Sequence, residues 1–233
     1  MAATAVHLLS AGAAKGLVLA LQAEFERAGS HVLVSTFGAV GAMREQLDAG
    51  APCDAIVLTR AMIDALAAAG RVAPGGVRDI GWVQTGVALP QGAPTASVAD
   101  PAALRALLER AGAIYLPDPQ RATAGVHALK VLRELGQAQP ERLRAHPNGA
   151  QAMVAMAREG DLAALGITQV SEILYTPGVV LLGVLPPPHA LATLYSAAVV
   201  SGAPQAPAAA RLLELLCAPG RAAWRQRGGF EAR

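Results

Sequence analysis

Residues 6–29 read VHLLSAGAAKGLVLALQAEFERAG. Val6–Leu9 is a short, mostly apolar run of strand type. From Ala13 to Ala28 the spacing turns helical: Leu17, Leu21 and Phe25 share one face, with Glu24 and Arg27 outside it. Between the two lies Ser10-Ala11-Gly12-Ala13, a turn of small residues. Ala28-Gly29-Ser30 stops the helix. Strand, small-residue turn and helix together form one unit of an α/β layer.

The alternation continues outward. His31–Phe37, with Val32, Val34 and Thr36, reads as a strand; Gly38–Gly41 is a turn into a helix over Ala39–Ala49. Asp54–Leu58 is a buried strand, Ala61–Ala69 a helix, and Pro74-Gly75-Gly76 a break. Strands follow at Gly81–Leu89, Ala113–Leu116, Leu162–Ile167, Val179–Leu185 and Leu194–Val200. Helices are expected over Pro101–Arg110, with proline in its favoured first turn, then Thr123–Leu135, Asn148–Arg158, Ala208–Cys217 and Gly220–Arg227. Gln137–Gln139 with Pro140 reads as a connector. The fold class is α/β, with mainly parallel sheets flanked by helices.

Composition removes several functions. The chain has 233 residues, 53% hydrophobic and 15% charged, with a net charge of +2. Disorder needs low hydrophobicity and high charge, and both are missing. Two cysteines exclude a disulfide scaffold. A nucleic-acid binder driven by phosphate neutralisation wants a larger positive excess. The most apolar stretch, Val179–Val200, is cut by Pro186, Pro187, Pro188 and His189, so membrane insertion is not expected. No Lys or Arg precedes Lys15, so Met1–Ala14 lacks the basic start of a signal peptide. That points to a cytoplasmic protein with its natural start at Met1; the alternative is a periplasmic protein whose leader has been removed.

The usual signatures of phosphoryl transfer, dinucleotide binding, zinc hydrolysis and serine acyl transfer are absent. His7, His31, His127, His146 and His189 lack ligand-like spacing, and Cys53 and Cys217 stand far apart. No metal and no cofactor are expected. What recurs is the small-residue turn before a helix: Ser10-Ala11-Gly12-Ala13, Gly38-Ala39-Val40-Gly41 with Phe37 before it as a further candidate ligand residue, Thr123-Ala124-Gly125 and Asn148-Gly149. A helix start carries unpaired N–H groups and the positive end of the dipole. Several together hold an anion without a lysine. The same turns are also ordinary loop chemistry in an α/β fold.

The ordered blocks LLSAGAAKGLVLALQAEF, STFGAVGAMREQLDAGAPCDAIVLT, YLPDPQRATAGVHALKVLRELG, LGITQVSEIL and APAAARLLELLCAPGRAAWRQRGGF resemble the periplasmic molybdate-binding protein family over nearly the whole chain. AGAPCD and DPQRATAG are the most specific parts. The resemblance implies a type 2 periplasmic-binding-protein fold: two α/β lobes, two crossover strands, and an oxyanion held in the interlobe cleft by helix N-termini and hydroxyls. Lobe 1 would be 1–88 with 190–233, lobe 2 would be 89–189, and the crossovers near Ala88 and His189 would be hinges.

The departures from the family pattern bear on the ligand. The family's first-loop serine falls by spacing on Ala13, its second-loop serine on Val40 and its late-strand tyrosine on Gln169; the alanine that offers its amide is kept as Ala124. With three hydroxyl donors lost, molybdate is not the expected ligand. Arg121 could clamp a carboxylate through paired N–H donors, or be a solvated loop arginine. Thr59 and Arg60 would face the same rim, and Gln169 could donate to or accept from the ligand. The expectation is a receptor or sensor for a small organic anion, a carboxylate, with no protein partner identified. The alternative is an isomerase of a small polycarboxylate, resembling the aconitate isomerases. Its candidate proton carriers are Glu172, His127 and Lys15, though Glu172 suits a helix cap and His127 a packed histidine.

Overall fold

The computed structural model describes residues 3–232; the reading of Met1 as a natural start lies outside the described residues. In chain order, β1 (Thr4–Ala11) leads through a 3-10 turn (Gly12–Ala14) into α1 (Lys15–Gly29). Then come β2 (His31–Gly38), α2 (Val40–Asp48), β3 (Ala55–Thr59), α3 (Arg60–Ala68) and the long β4 (Val72–Pro90). They are followed by α4 (Pro101–Arg110), β5 (Ile114–Pro117), α5 (Thr123–Glu134) and β6 (Leu143–His146). Next are α6 (Gly149–Glu159), β7 (Leu165–Gln169), α7 (Val170–Tyr175) and β8 (Val179–Val184). The chain closes with β9 (Ala192–Val200), α8 (Ala206–Cys217) and α9 (Ala222–Arg227).

Two compact units result. Unit 1 is Met1–Trp82 with Leu194–Arg233, and unit 2 is Val83–Thr193. In unit 1 the parallel order is β2-β1-β3, and β9 runs antiparallel beside β3. All of Ala55–Leu58 in β3 is buried. Such a strand is covered on both faces and shows no alternation. α1 buries Leu17, Val18, Leu21 and Phe25, each contributing about 1.5–3 kcal/mol by leaving water. Ser30 ends that helix with a left-handed φ of 52°.

In unit 2, β7 lies between β4, antiparallel, and β5, parallel; β6 adds parallel to β5, and β8 antiparallel to β4. Alternation along β5 serves two cores. Ile114 and Leu116 pack with Leu104, Leu108, Val131 and Leu132 from α4 and α5. Tyr115 turns to the other face, onto Met153 and Met156 of α6 and Ile173 of α7. The architecture is α/β, mainly parallel and flanked by helices.

Some expected elements need correction. Pro74-Gly75-Gly76 does not end a strand, because β4 runs through it. Pro74 and Gly75 are exposed, so the donor that proline lacks is not missed there. The strand expected at Leu162–Ile167 is displaced to Leu165–Gln169, because 161–164 is a turn closed by Ala164 N–H to Asp161 O at 3.0 Å. β6 and α7 were not expected. Among the described residues, no helix is long and apolar enough to cross a membrane.

Candidate functional site

Parallel strands bring the small-residue turns to one edge of each sheet. In unit 1, Ser10 pairs with Phe37 and Val57, and Ala11 with Gly38, so the carboxyl ends of β1, β2 and β3 lie side by side. Ser10 and Ala11 end β1, and Gly12 and Ala13 form the 3-10 turn before α1. Phe37 and Gly38 end β2, and Ala39 and Val40 open α2. Thr59 ends β3. This is the edge at which α/β sheets take ligands. α1 and α2 start after Ala14 and Ala39 with no side-chain cap, whereas Thr59 caps α3 by accepting from Met62 N–H at 3.4 Å. Ala13 and Val40 are buried at 4% and 8% exposure, and neither side chain offers a hydrogen bond. Lys15 Nζ stands 5.8 Å from the centroid of the Phe37 ring, close enough for a cation–π attraction.

In unit 2 the corresponding edge carries the starts of α5, α6 and α7. Thr123 opens α5 after Ala122, again with no side-chain cap, and Ala124 is buried in its first turn. The preceding loop is braced by Asp118. Its Oδ1 accepts from Gln120 N–H at 2.8 Å and Arg121 N–H at 3.1 Å, and its Oδ2 from Arg121 Nε at 2.9 Å. Burial of the Asp118 carboxyl is outweighed by these bonds and the Arg121 charge, which hold its pKa below the ordinary value. The carboxylate that Arg121 binds in this structure is therefore Asp118.

The α6 start is different. Asn148 caps it by accepting from Gln151 N–H at 2.9 Å. The Glu172 carboxylate takes a hydroxyl bond from Thr168 at 2.6 Å and backbone N–H bonds from Gly149, Ala150 and Gln169. A carboxylate has about four acceptor sites, and these four donors fill them. A Cβ at Gly149 would overlap Glu172 Oε2 and Thr168 Oγ1, so only glycine permits this approach. Burial pushes the Glu172 pKa up against these four bonds. The expectation of free amides at the Asn148-Gly149 bend is thus corrected: an internal carboxylate occupies them. Glu172 is also the third residue of α7 and reaches back to the Gln169 N–H, the reciprocal half of a capping box.

His127 lies one turn inside α5 and donates from Nε2 to the His189 carbonyl at 2.8 Å. His189 Nδ1 lies 3.5 Å from Glu134 Oε2. His127 thereby ties α5 to the chain that follows the cis Pro187-Pro188 bond.

Gln169 is 2% exposed. Its Nε2 and Oε1 are both buried with no hydrogen-bond partner among the described residues. Directly across the β4–β7 ladder from it is Thr85, whose buried hydroxyl also lacks a partner. Opposed residues of an antiparallel pair project from the same face. Ser171 and Thr193 carry further buried, unpartnered hydroxyls; the Thr85 N–H bonds Leu191 O at 2.8 Å, two residues before Thr193. Each orphaned buried group costs about 1–3 kcal/mol, and native proteins hold few of them. Thr85, Ser171 and Thr193 escaped sequence reading. The one available signal was Thr85 itself, a hydroxyl inside the run VQTGVAL.

Two surface cavities lie elsewhere. One of about 660 Å³ in unit 1 borders Asp79, Trp82, Arg225 and Phe230. Its charges have internal partners: Asp79 binds Arg60 and Ser196, and Arg225 binds the Leu216 and Ala218 carbonyls. The other, about 400 Å³ in unit 2, is mostly apolar and borders Leu89, Leu107, Arg110 and Leu162. Neither contains a residue expected from sequence to bind ligand. Among the described residues, no group of three or more His, Cys, Asp or Glu is placed to hold a metal.

Known proteins resemble the chain throughout its length. It is 28% identical over 221 residues to an aconitate isomerase from a Pseudomonas species, covering 91% of this chain and 82% of that protein. The periplasmic molybdate-binding protein of Azotobacter vinelandii superposes with a TM-score of 0.79 at 19% identity, covering 98% of this chain and 99% of that one. The sulfate-binding protein SubI of Mycobacterium tuberculosis gives 0.75 at 18% identity, covering 97% and 86%. These two share the fold. The sequence profile of the bacterial extracellular solute-binding proteins matches residues 6–231, and the chain belongs to that family.

Proposed function

We propose that the protein binds a small organic anion, a carboxylate, and acts as a receptor or sensor for it. The observation that carries this reading is the buried, unpartnered amide of Gln169 opposite the unpartnered hydroxyl of Thr85. Polar groups left unmatched in a folded protein are the natural partners of a ligand. The uncapped start of α5, on the same edge of unit 2, adds amide donors and the favourable end of the helix dipole. The solute-binding family supports anion binding in general. The family resemblance sets Ala13 and Val40 where the molybdate-binding proteins carry serines, which argues against molybdate, and the likeness to a protein named for aconitate favours a carboxylate. A thermal-shift screen over di- and tricarboxylates, molybdate and sulfate tests it. A carboxylate raises the melting temperature in proportion to the logarithm of its concentration. Stabilisation by micromolar molybdate with none by any carboxylate would overturn the proposal.

The same likeness favours a second reading, an isomerase that moves a proton on a small polycarboxylate. A general base must reach the substrate, and Glu172 has its acceptor sites filled while His127 is engaged through Nε2. Incubation of each bound carboxylate in deuterated water, followed by NMR, separates the readings. Binding without exchange supports the receptor, and exchange or isomerisation supports the enzyme.

A further inference from the structure

We infer that the ligand carries a hydrogen-bond donor of its own, a hydroxyl, beside its carboxylate, so that the class recognised is the hydroxycarboxylates. The inference rests on the proposed binding of an organic anion and narrows it through the chemistry of Gln169. An amide side chain presents two N–H donors and a carbonyl with two lone pairs. Both ends of Gln169 are buried and unpartnered. An anion oxygen satisfies the NH2 end. It cannot satisfy Oε1, because lone pair would face lone pair. The argument holds whichever way the amide is turned, since both ends are orphaned and one of them is always the acceptor.

The donors around it do not help. The uncapped amides of α5 and the NH2 of Gln169 all call for acceptors. The Thr85, Ser171 and Thr193 hydroxyls make no bond to Oε1. A simple carboxylate or a fully deprotonated oxyanion therefore leaves Oε1 empty, and a hydroxyl on the ligand fills it. An ammonium group is also a donor, but it needs a counter-charge. The Glu172 and Asp118 carboxylates on this edge of unit 2 are occupied, Glu172 by four donors and Asp118 by Arg121 and two amides. A neutral hydroxyl fits where a cation would stand uncompensated.

Calorimetry on the full chain with matched pairs tests this: malate against succinate, citrate against tricarballylate, lactate against propionate, and aspartate against succinate as the ammonium control. In at least one pair the hydroxylated member is expected to bind tenfold or more tighter, with aspartate no better than succinate. In Gln169→Leu the preference is expected to fall below threefold. Should that variant not fold, Gln169→Met supplies the same comparison. Hydroxylated and plain members binding within threefold of each other in every pair would overturn the inference, as would a preference that survives loss of the amide. Those outcomes leave the organic-anion reading standing. Absence of binding by any member overturns that reading, and this inference with it.

Discussion

Thr85 and Gln169 face each other across the antiparallel β4–β7 ladder, and both bury polar atoms that no described residue satisfies. Groups held for a ligand weaken the ligand-free fold. Thr85→Val keeps the shape and removes the orphaned hydroxyl. The free variant is expected to melt no lower than wild type, with a gain of up to about 1–3 kcal/mol if relief is complete. Its stabilisation by the bound carboxylate is expected to shrink. Differential scanning calorimetry with and without ligand reads both; a large loss of stability in the free variant would show the hydroxyl to be structural.

Glu172 makes the opposite prediction. Its carboxylate closes the α6 start, and an amide in its place would turn an NH2 toward backbone N–H groups. Glu172→Gln is expected to cost about 1–3 kcal/mol, the range for leaving buried hydrogen-bonding groups unsatisfied. Thr168→Val is expected to cost less, because it removes one of the four donors and leaves the other three. Urea midpoints of the two variants measure this.

The pH dependence follows from the raised pKa of Glu172. A carboxyl with a folded pKa above the ordinary 4.5 binds its proton more tightly in the folded state. Its contribution is fully present below 4.5 and lost as pH rises through the raised value. The stability gap between wild type and Glu172→Gln is therefore expected to narrow with rising pH. Asp118 has the reverse sign: its pKa is lowered, so its contribution holds above the ordinary 3.8 and is lost as pH falls through the lower folded value. Denaturation midpoints of wild type, Glu172→Gln and Asp118→Asn from acid to neutral pH separate the two.

The alanine before α5 can be used to separate capping from anion binding. Ala122 has extended backbone angles, φ −102° and ψ 128°, which suit a capping side chain. Ala122→Asp is expected to stabilise the free protein by about 0.5–2 kcal/mol by satisfying amides of the first turn. Its negative charge is expected to weaken carboxylate binding at the same time. Stability unchanged and affinity unchanged would show that the α5 start takes no part.

The alternation of strands and helices was legible because α1 and α5 place their apolar residues on one stripe, and β3 and β5 are buried runs. β6 was not, since its LRAH sequence lies half-exposed or exposed and shows no alternation. The start of β7 was misread because Leu162, Ala163 and Ala164 extend the apolar run into a turn, where Leu162 is half exposed. Gln169 was singled out through the family resemblance. Its pairing with Thr85, 84 residues earlier in the chain, is a matter of strand register between distant segments. The contact of Glu172 with Gly149 is likewise tertiary: nothing local in Asn148-Gly149 says that its amides are filled by a residue from another helix.

The most direct test follows the side-chain amide of Gln169 by nitrogen-15 NMR, with its resonances assigned by their loss in Gln169→Leu. The protein is titrated with the carboxylate that raises its melting temperature most. The account predicts that the Gln169 NH2 pair shifts and saturates with the dissociation constant found by calorimetry. A pair that stays fixed while other resonances saturate would place the anion elsewhere and contradict it.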